Sequence, residues 1–254
     1  MKRIKCTLFA LVALFIGTAT AHAQKLINED LSHLGSFERI DASVGWEVTF
    51  TQSNTSSINV SYSESIADRV RIEVKNGRLI LGLKNQKNNN RPKKVTLRAT
   101  ISAPSLRAIN VTTGAEIKFA SPLNISGNLS IDATTGADVE GLVLTAEGFN
   151  CDVTTGASVE AKIDVTKATI DCTTGSDVKI SGQANTAILD CTTGADINAK
   201  ELEVQYGNCD ATTAGDITIT IKERAKVHAS TGGDITVYGK PREIEGKIRG
   251  ITFK

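Results

Sequence analysis

Histidine, tryptophan and methionine are scarce in this 254-residue chain, which has three His, one Trp and one Met. Beyond the first 23 residues only His33 and His228 remain, and no Cys-x-x-Cys spacing occurs, which argues against a zinc or iron site. An excess of either charge is missing too: 29 Lys and Arg face 28 Asp and Glu. No basic surplus recommends nucleic acid as a partner, and no basic amphipathic helix recommends a membrane surface. Long apolar runs are confined to the start. There Lys2, Arg3 and Lys5 precede Leu8 to Gly17, followed by Ala21-His22-Ala23. This pattern reads as a secretory signal peptide, residues 1–23, cleaved before Gln24. The run falls short of the roughly 20 apolar residues that span a bilayer, so no membrane insertion is expected after cleavage. Cys6 lies before the apolar run, so it is not placed to carry a lipid at a cleavage site. Removal of the leader leaves a formal charge of −2.

What is abundant is Thr, Gly, Ile, Val, Ala, Asp and Asn, a composition of strands and turns. These residues recur in order: NVTTGAEI from 110, DATTGADV from 132, DVTTGASV from 152, DCTTGSDV from 171, DCTTGADI from 190, DATTAGDI from 210 and HASTGGDI from 228. The central residues are Gly114, Gly136, Gly156, Gly175, Gly194, Ala214 and Gly232, at steps of 22, 20, 19, 19, 20 and 18 residues. A fixed period in this range, rich in β-branched residues, predicts one coil of a stacked structure per repeat. The fold class is all-β, a parallel β-solenoid (β-helix) of about seven coils of 18–22 residues. Stacked about 4.8 Å apart, seven coils rise about 34 Å.

Strand alternation sorts the columns. Five residues before the Gly stand Ile109, Ile131, Cys151, Ile170, Leu189, Cys209 and Val227, and three before it Val111, Ala133, Val153, Cys172, Cys191, Ala211 and Ala229. Both columns are apolar and face the core, as does the column three residues after the Gly, Ile117 to Ile235. The Gly supplies a positive φ at the corner, and the Asp two residues later (Asp138, Asp177, Asp196, Asp216, Asp234) is expected to bond nearby backbone amides. A third, less regular strand completes each coil, as in Leu142 to Thr145, Lys162 to Val165 and Glu201 to Val204.

Two outward columns are the candidate ligand-facing ladder: Asp132, Asp152, Asp171, Asp190 and Asp210, beside Thr134, Thr154, Thr173, Thr192 and Thr212. Carboxylates about 5 Å apart suit Ca²⁺ or a retaining glycosidase pair. Catalysis, however, needs an acid and a base in unlike environments, and every rung here looks alike. The plainer reading is a set of solvated residues that bond Thr hydroxyls or backbone amides. Thr columns resemble those of ice-binding solenoids, but the companion column here is Asp, which holds its hydration water too strongly. Cross-rung Thr hydrogen bonds and β-propensity account for the Thr. Cys172 and Cys191 fall at the same position of adjacent coils, near enough for a bridge, yet in-register parallel strands seldom offer the geometry. The favoured reading is buried thiols acting as small apolar residues.

Residues 24–105 lack the repeat but carry strand-like runs, with Asn76-Gly77 reading as a tight hairpin turn between two of them. This β-rich segment caps or begins the solenoid, residues 106–240 form its repeat body, and 241–254 cap the other end, because an open sheet edge invites aggregation. Lys84 to Lys94 reads as a polar excursion.

The run FERIDASVGWEVTFTQS from 37, VRIEVKNGRLILGL from 70, KVTLRATISAPSLRAINVTTGAEI from 94 and VYGKPREIEGKIRGI from 237 resembles the head-GIN-domain family of auto-transporter adhesins, exported proteins of Bacteroidetes-type bacteria. The resemblance covers nearly all of residues 28 to 254. It implies a β-solenoid-like fold, a cell-envelope, periplasmic or surface location, and adhesion. It supplies no binding residues, and the uniform Thr-Thr-Gly-Ala coils with inward cysteines depart from the family's usual pattern. The expected function is therefore a non-enzymatic envelope or surface protein, without catalytic residues, metal or cofactor, that binds glycan or protein along a regular face. The alternative is a β-helix lyase or hydrolase acting on acidic polysaccharide. Such enzymes need long loops that build a cleft, and the spacings here vary by only four residues.

Overall fold

The computed structural model describes residues 25–84, 95–246 and 249–254, so the leader and the stretch 85–94 lie outside the described residues. The chain is almost entirely strand. In order come β1 (Leu26–Asp30), β2 (Arg39–Ser43), β3 (Glu47–Gln52), β4 (Ser57–Ser63), β5 (Val70–Lys75), β6 (Arg78–Leu83), β7 (Leu97–Ala103), β8 (Ala108–Thr112), β9 (Glu116–Phe119) and β10 (Leu123–Asn124). There follow β11 (Asn128–Thr134), β12 (Asp138–Thr154), β13 (Ser158–Thr173), β14 (Asp177–Thr192), β15 (Asp196–Thr212), β16 (Asp216–Ala229), β17 (Asp234–Tyr238), β18 (Glu243–Gly246) and β19 (Ile251–Phe253).

From β8 onward each strand pairs in parallel with its equivalent one repeat later, and the pairing is in register. Asp132 meets Asp152, Asp152 meets Asp171, Asp171 meets Asp190, and Asp190 meets Asp210. The fold is thus a parallel β-solenoid. Between corners the register shifts in several of these pairings, as between Val139 and Leu142 and between Lys179 and Ser181.

The columns assigned inward are inward. Ile109, Ile131, Cys151, Ile170, Leu189, Cys209 and Val227 are buried, as are Ile117 through Ile235 three residues past each corner. A further inward column follows the corner Gly directly, with Ala115, Ala137, Ala157, Ser176 and Ala195 buried. Each buried Ile, Leu or Val contributes about 1.5–3 kcal/mol relative to exposure. Ser176 keeps its hydroxyl in this apolar column because its one O–H has the carbonyls of Val153 (2.9 Å) and Thr173 (2.6 Å) as acceptors, while its oxygen accepts from the Thr173 amide at 3.1 Å.

The corner itself is tighter than one glycine implies. The Thr before each Gly is also left-handed, with φ of 55° at Thr113, 58° at Thr174 and 50° at Thr213, and Ala214 adopts 60° in place of Gly. Stacking continues through the turn, since the Gly136 amide donates to Thr155 O at 3.1 Å and the Gly194 amide to Thr213 O at 3.1 Å. The Asp after the corner plays a different part from the one expected. Its backbone amide donates to the preceding rung (Asp177 to Ala157 O, 3.1 Å; Asp196 to Ser176 O, 3.0 Å), while its side chain lies exposed. Amides already engaged by the ladder have no need of a carboxylate acceptor.

The N-terminal third builds the same stack. Val44 and Gly45 have φ of 61° and 76°, repeating the corner between β2 and β3, and the Gly45 amide donates to Thr113 O. Ile40, Ala42 and Val48 occupy the three core columns, and IDASVGWEV from 40 matches IDATTGADV from 131 at five of nine positions. Placement is not sequential, however. β2 lies between β6 and β8, and β3 between β7 and β9, so the coil made first is enclosed on both sides by strands made later. The antiparallel strands β5, beside β6, and β4 with β1, beside β7, finish this end. The β5–β6 hairpin turns on Asn76-Gly77, both left-handed. Trp46, Phe37, Phe50 and Phe119 fill the wider core here, with Phe50 and Phe119 edge to face at 5.5 Å.

Candidate functional site

The proposed ladder residues all lie on one outward face. The register sets Asn110, Asp132, Asp152, Asp171, Asp190, Asp210 and His228 in a single column across β8 to β16. Beside it runs Thr112, Thr134, Thr154, Thr173, Thr192 and Thr212. The threonine hydroxyls pair chiefly within a rung with the next Thr, at 2.9 Å for Thr134 and Thr135 and 3.1 Å for Thr173 and Thr174. Thr212 instead donates across the rung to Thr192 at 3.2 Å. The expected Asp–Thr bonds give way to this Thr–Thr pairing, because the left-handed second Thr brings its hydroxyl beside the first.

The carboxylates feel one another. Desolvation between rungs and then the charge of the next Asp raise Asp132, Asp152, Asp171 and Asp190 above the ordinary aspartate range. In other columns some adjacent rungs are opposite in sign: Lys179 bonds Glu160 at 2.6 Å, Lys222 bonds Glu203 at 3.1 Å and Lys118 approaches Glu140 at 3.6 Å. In the same column, Asp41 on the enclosed coil is paired with Arg78 at 2.9 Å. The five-rung run from Asp132 to Asp210 instead stacks one sign, as do Asp177, Asp196, Asp216 and Asp234 in the column after the corner. Among the described residues no group of His, Cys, Asp or Glu converges as a metal-ligand set.

Cys151, Cys172, Cys191 and Cys209 are buried free thiols. Burial raises the Cys151 thiol well above its ordinary value and pushes Cys209 up to about 12. The hydrogen bond between Cys172 and Cys191 lowers Cys172 and raises Cys191. Cys172 also bonds Ser176, and Cys191 donates to Ala195 O at 3.0 Å. These groups hold the interior together and do not reach the outward face.

Sequence columns alone did not single out the remainder of this face. Two residues further from the corner stand Ser130, Asn150, Thr169, Ile188, Asn208 and Lys226, and beyond them Thr186, Tyr206 and Arg224 are in register. Tyr206 is 47% exposed. The period-2 alternation that revealed the Asp column extends to these positions, but their residue types vary from coil to coil.

A family model described as "Putative auto-transporter adhesin, head GIN domain" matches residues 36–241. The chain belongs to this family. Solved structures with the same fold include a putative lipid binding protein from Parabacteroides distasonis (TM-score 0.81, 17% identity, 91% of this chain and 98% of that one). A putative adhesin from the same species gives a TM-score of 0.78 at 21% identity, covering 91% and 97% of the two chains. One from Parabacteroides merdae gives 0.79 at 20% identity, covering 91% and 95%. At these identities the likeness is one of fold. No curated protein matches the chain. No helix among the described residues is long and apolar enough to cross a membrane.

Proposed function

We propose that this member of the adhesin family is an exported, non-enzymatic envelope or surface protein that binds an extracellular glycan or protein across its ladder face. The observation that carries the reading is the in-register stacking of short polar side chains, Asp beside Thr, over five consecutive rungs. Such a face offers the same hydrogen-bonding groups at every step along the axis, which suits an extended partner gripped by many weak, repeated contacts. It suits bond cleavage poorly, because a general acid and a general base must differ in environment and here neighbouring carboxylates share theirs. The leader-like start, which supports export, agrees with adhesion as the family's role.

The test is a panel of polysaccharides and envelope proteins scored for both retention and cleavage. Retention without product release supports the reading. Release of unsaturated or reducing ends from an acidic polysaccharide would replace it with the lyase or hydrolase alternative.

A further inference from the structure

We propose that the end of the ladder face around Tyr206 is a binding subsite for a neutral saccharide, with the Tyr206 ring as stacking platform and Asp190, Asn208 and Asp210 as partners for sugar hydroxyls. The inference deepens the proposed function and rests on the ladder face being the binding face.

Three observations converge. First, Tyr206 is 47% exposed on a face of mostly short polar side chains, between Thr186 and Arg224 in the register. A tyrosine ring left open on a flat sheet presents an apolar platform to the C–H face of a sugar ring and a hydroxyl at its edge. Second, the surface dips beside it. A depression of about 410 Å³ lined by Tyr206, Asn208, Arg224 and Lys226 shares Asn208, Lys226 and Glu245 with a neighbouring one that reaches Asp190, Asp210 and His228. Together they place the ring, a side-chain amide and three carboxylates, Asp190, Asp210 and Glu245, along one continuous path of small-ligand size. Carboxylates accept from pairs of hydroxyls, and Asn both donates and accepts, which is the complement of a polyol.

Third, the charges select against an anion. Two cations line the depressions, Arg224 and Lys226, against Asp190, Asp210 and Glu245; Arg224 is engaged by Glu243 at 3.3 Å and Glu245 at 3.8 Å, which leaves Lys226 beside the two aspartates. Asp190 and Asp210 form the end of a run of like charge that no lysine or arginine interrupts. A uronate or sulfated chain laid along this path would set its own anions against those carboxylates, whereas a neutral hexose brings only hydroxyls.

The experiment titrates cello-, manno- and malto-hexaose, with an oligogalacturonate as the anionic arm, into the full mature chain by calorimetry and saturation-transfer NMR. The variants are Tyr206→Ala, Tyr206→Phe, Asp210→Asn and, at the far end of the column, Asp132→Asn. The expected result is binding of at least one neutral hexaose that Tyr206→Ala weakens roughly tenfold or more and Tyr206→Phe largely restores, as for an anchoring aromatic. Asp210→Asn weakens it more than Asp132→Asn does. Neutral-hexaose binding untouched by Tyr206→Ala but lost in Asp132→Asn would overturn the subsite while leaving the ladder reading intact. Preference for the oligogalacturonate, or no binding of any neutral hexaose, overturns the inference. A ladder-dependent protein partner found in the panel above would then keep the broader function, and its absence would remove both.

Discussion

Each corner holds two successive left-handed residues, and a side chain there is a backbone cost rather than a packing one. At Gly175, φ is 64° and an added Cβ would meet nothing within 4 Å. Left-handed conformation costs an L-residue about 1–2 kcal/mol. Ala214 bears that cost at φ 60°. Ala214→Gly should therefore stabilise the protein by about 1 kcal/mol and Gly175→Ala destabilise it by a similar amount, with opposite shifts of the urea midpoint. The Asp column makes a second residue-level claim. Asp171 is raised above the ordinary 3.8 by desolvation first and by the Asp190 charge second, so the folded protein binds this proton more tightly than the unfolded chain. Stability from this site is complete below 3.8 and is lost as pH rises through the raised value. Asp171→Asn should accordingly raise the melting temperature at pH 7, by roughly 0.2–1 kcal/mol of stability for relief of like charges on adjacent strands, and converge with the parent near pH 3. Thermal melts across that range decide it.

At the scale of strands, the body of the solenoid was legible because its columns are written in nearly identical rungs, so one alignment gave core, corner and outward face together. The first coil was less so. Ser43-Val44-Gly45 keeps the glycine but replaces both threonines, and Trp46 stands where alanine stands in most other coils, hiding an otherwise close match. The enclosure of β2 and β3 by strands made later leaves no trace in periodicity, because pairing between distant segments is set by which faces remain open, not by local pattern. One side chain shows how that enclosure is held. Gln52, at the end of β3, donates to Pro104 O and Asn124 O, each at 2.8 Å, and accepts from the Asn124 amide at 2.9 Å. It thereby ties β3 to the segments after β7 and around β10. Gln52→Ala should cost about 1–3 kcal/mol, read from urea denaturation, with Gln52→Glu recovering little because it cannot donate to either carbonyl. Tyr206 was legible only as one polar-face residue among many. Its standing depends on the groups that the register assembles around it from three neighbouring strands.

For the whole molecule, stability comes from neighbour on neighbour, as in any linear stack. The in-register pairing of β12, β13 and β14 makes the rung between them interchangeable with those beside it. Excision of the 19 residues from Gly156 to Thr174 would join Thr155 to Gly175 and recreate the same corner. Such a shortened chain should fold with its strand content per residue unchanged by circular dichroism, and scattering should show it shorter by about 4.8 Å along one axis only. The repeat thus behaves as a unit of length. A gain or loss of whole periods would lengthen or shorten the outward columns by whole rungs, leaving the chemistry of either end untouched.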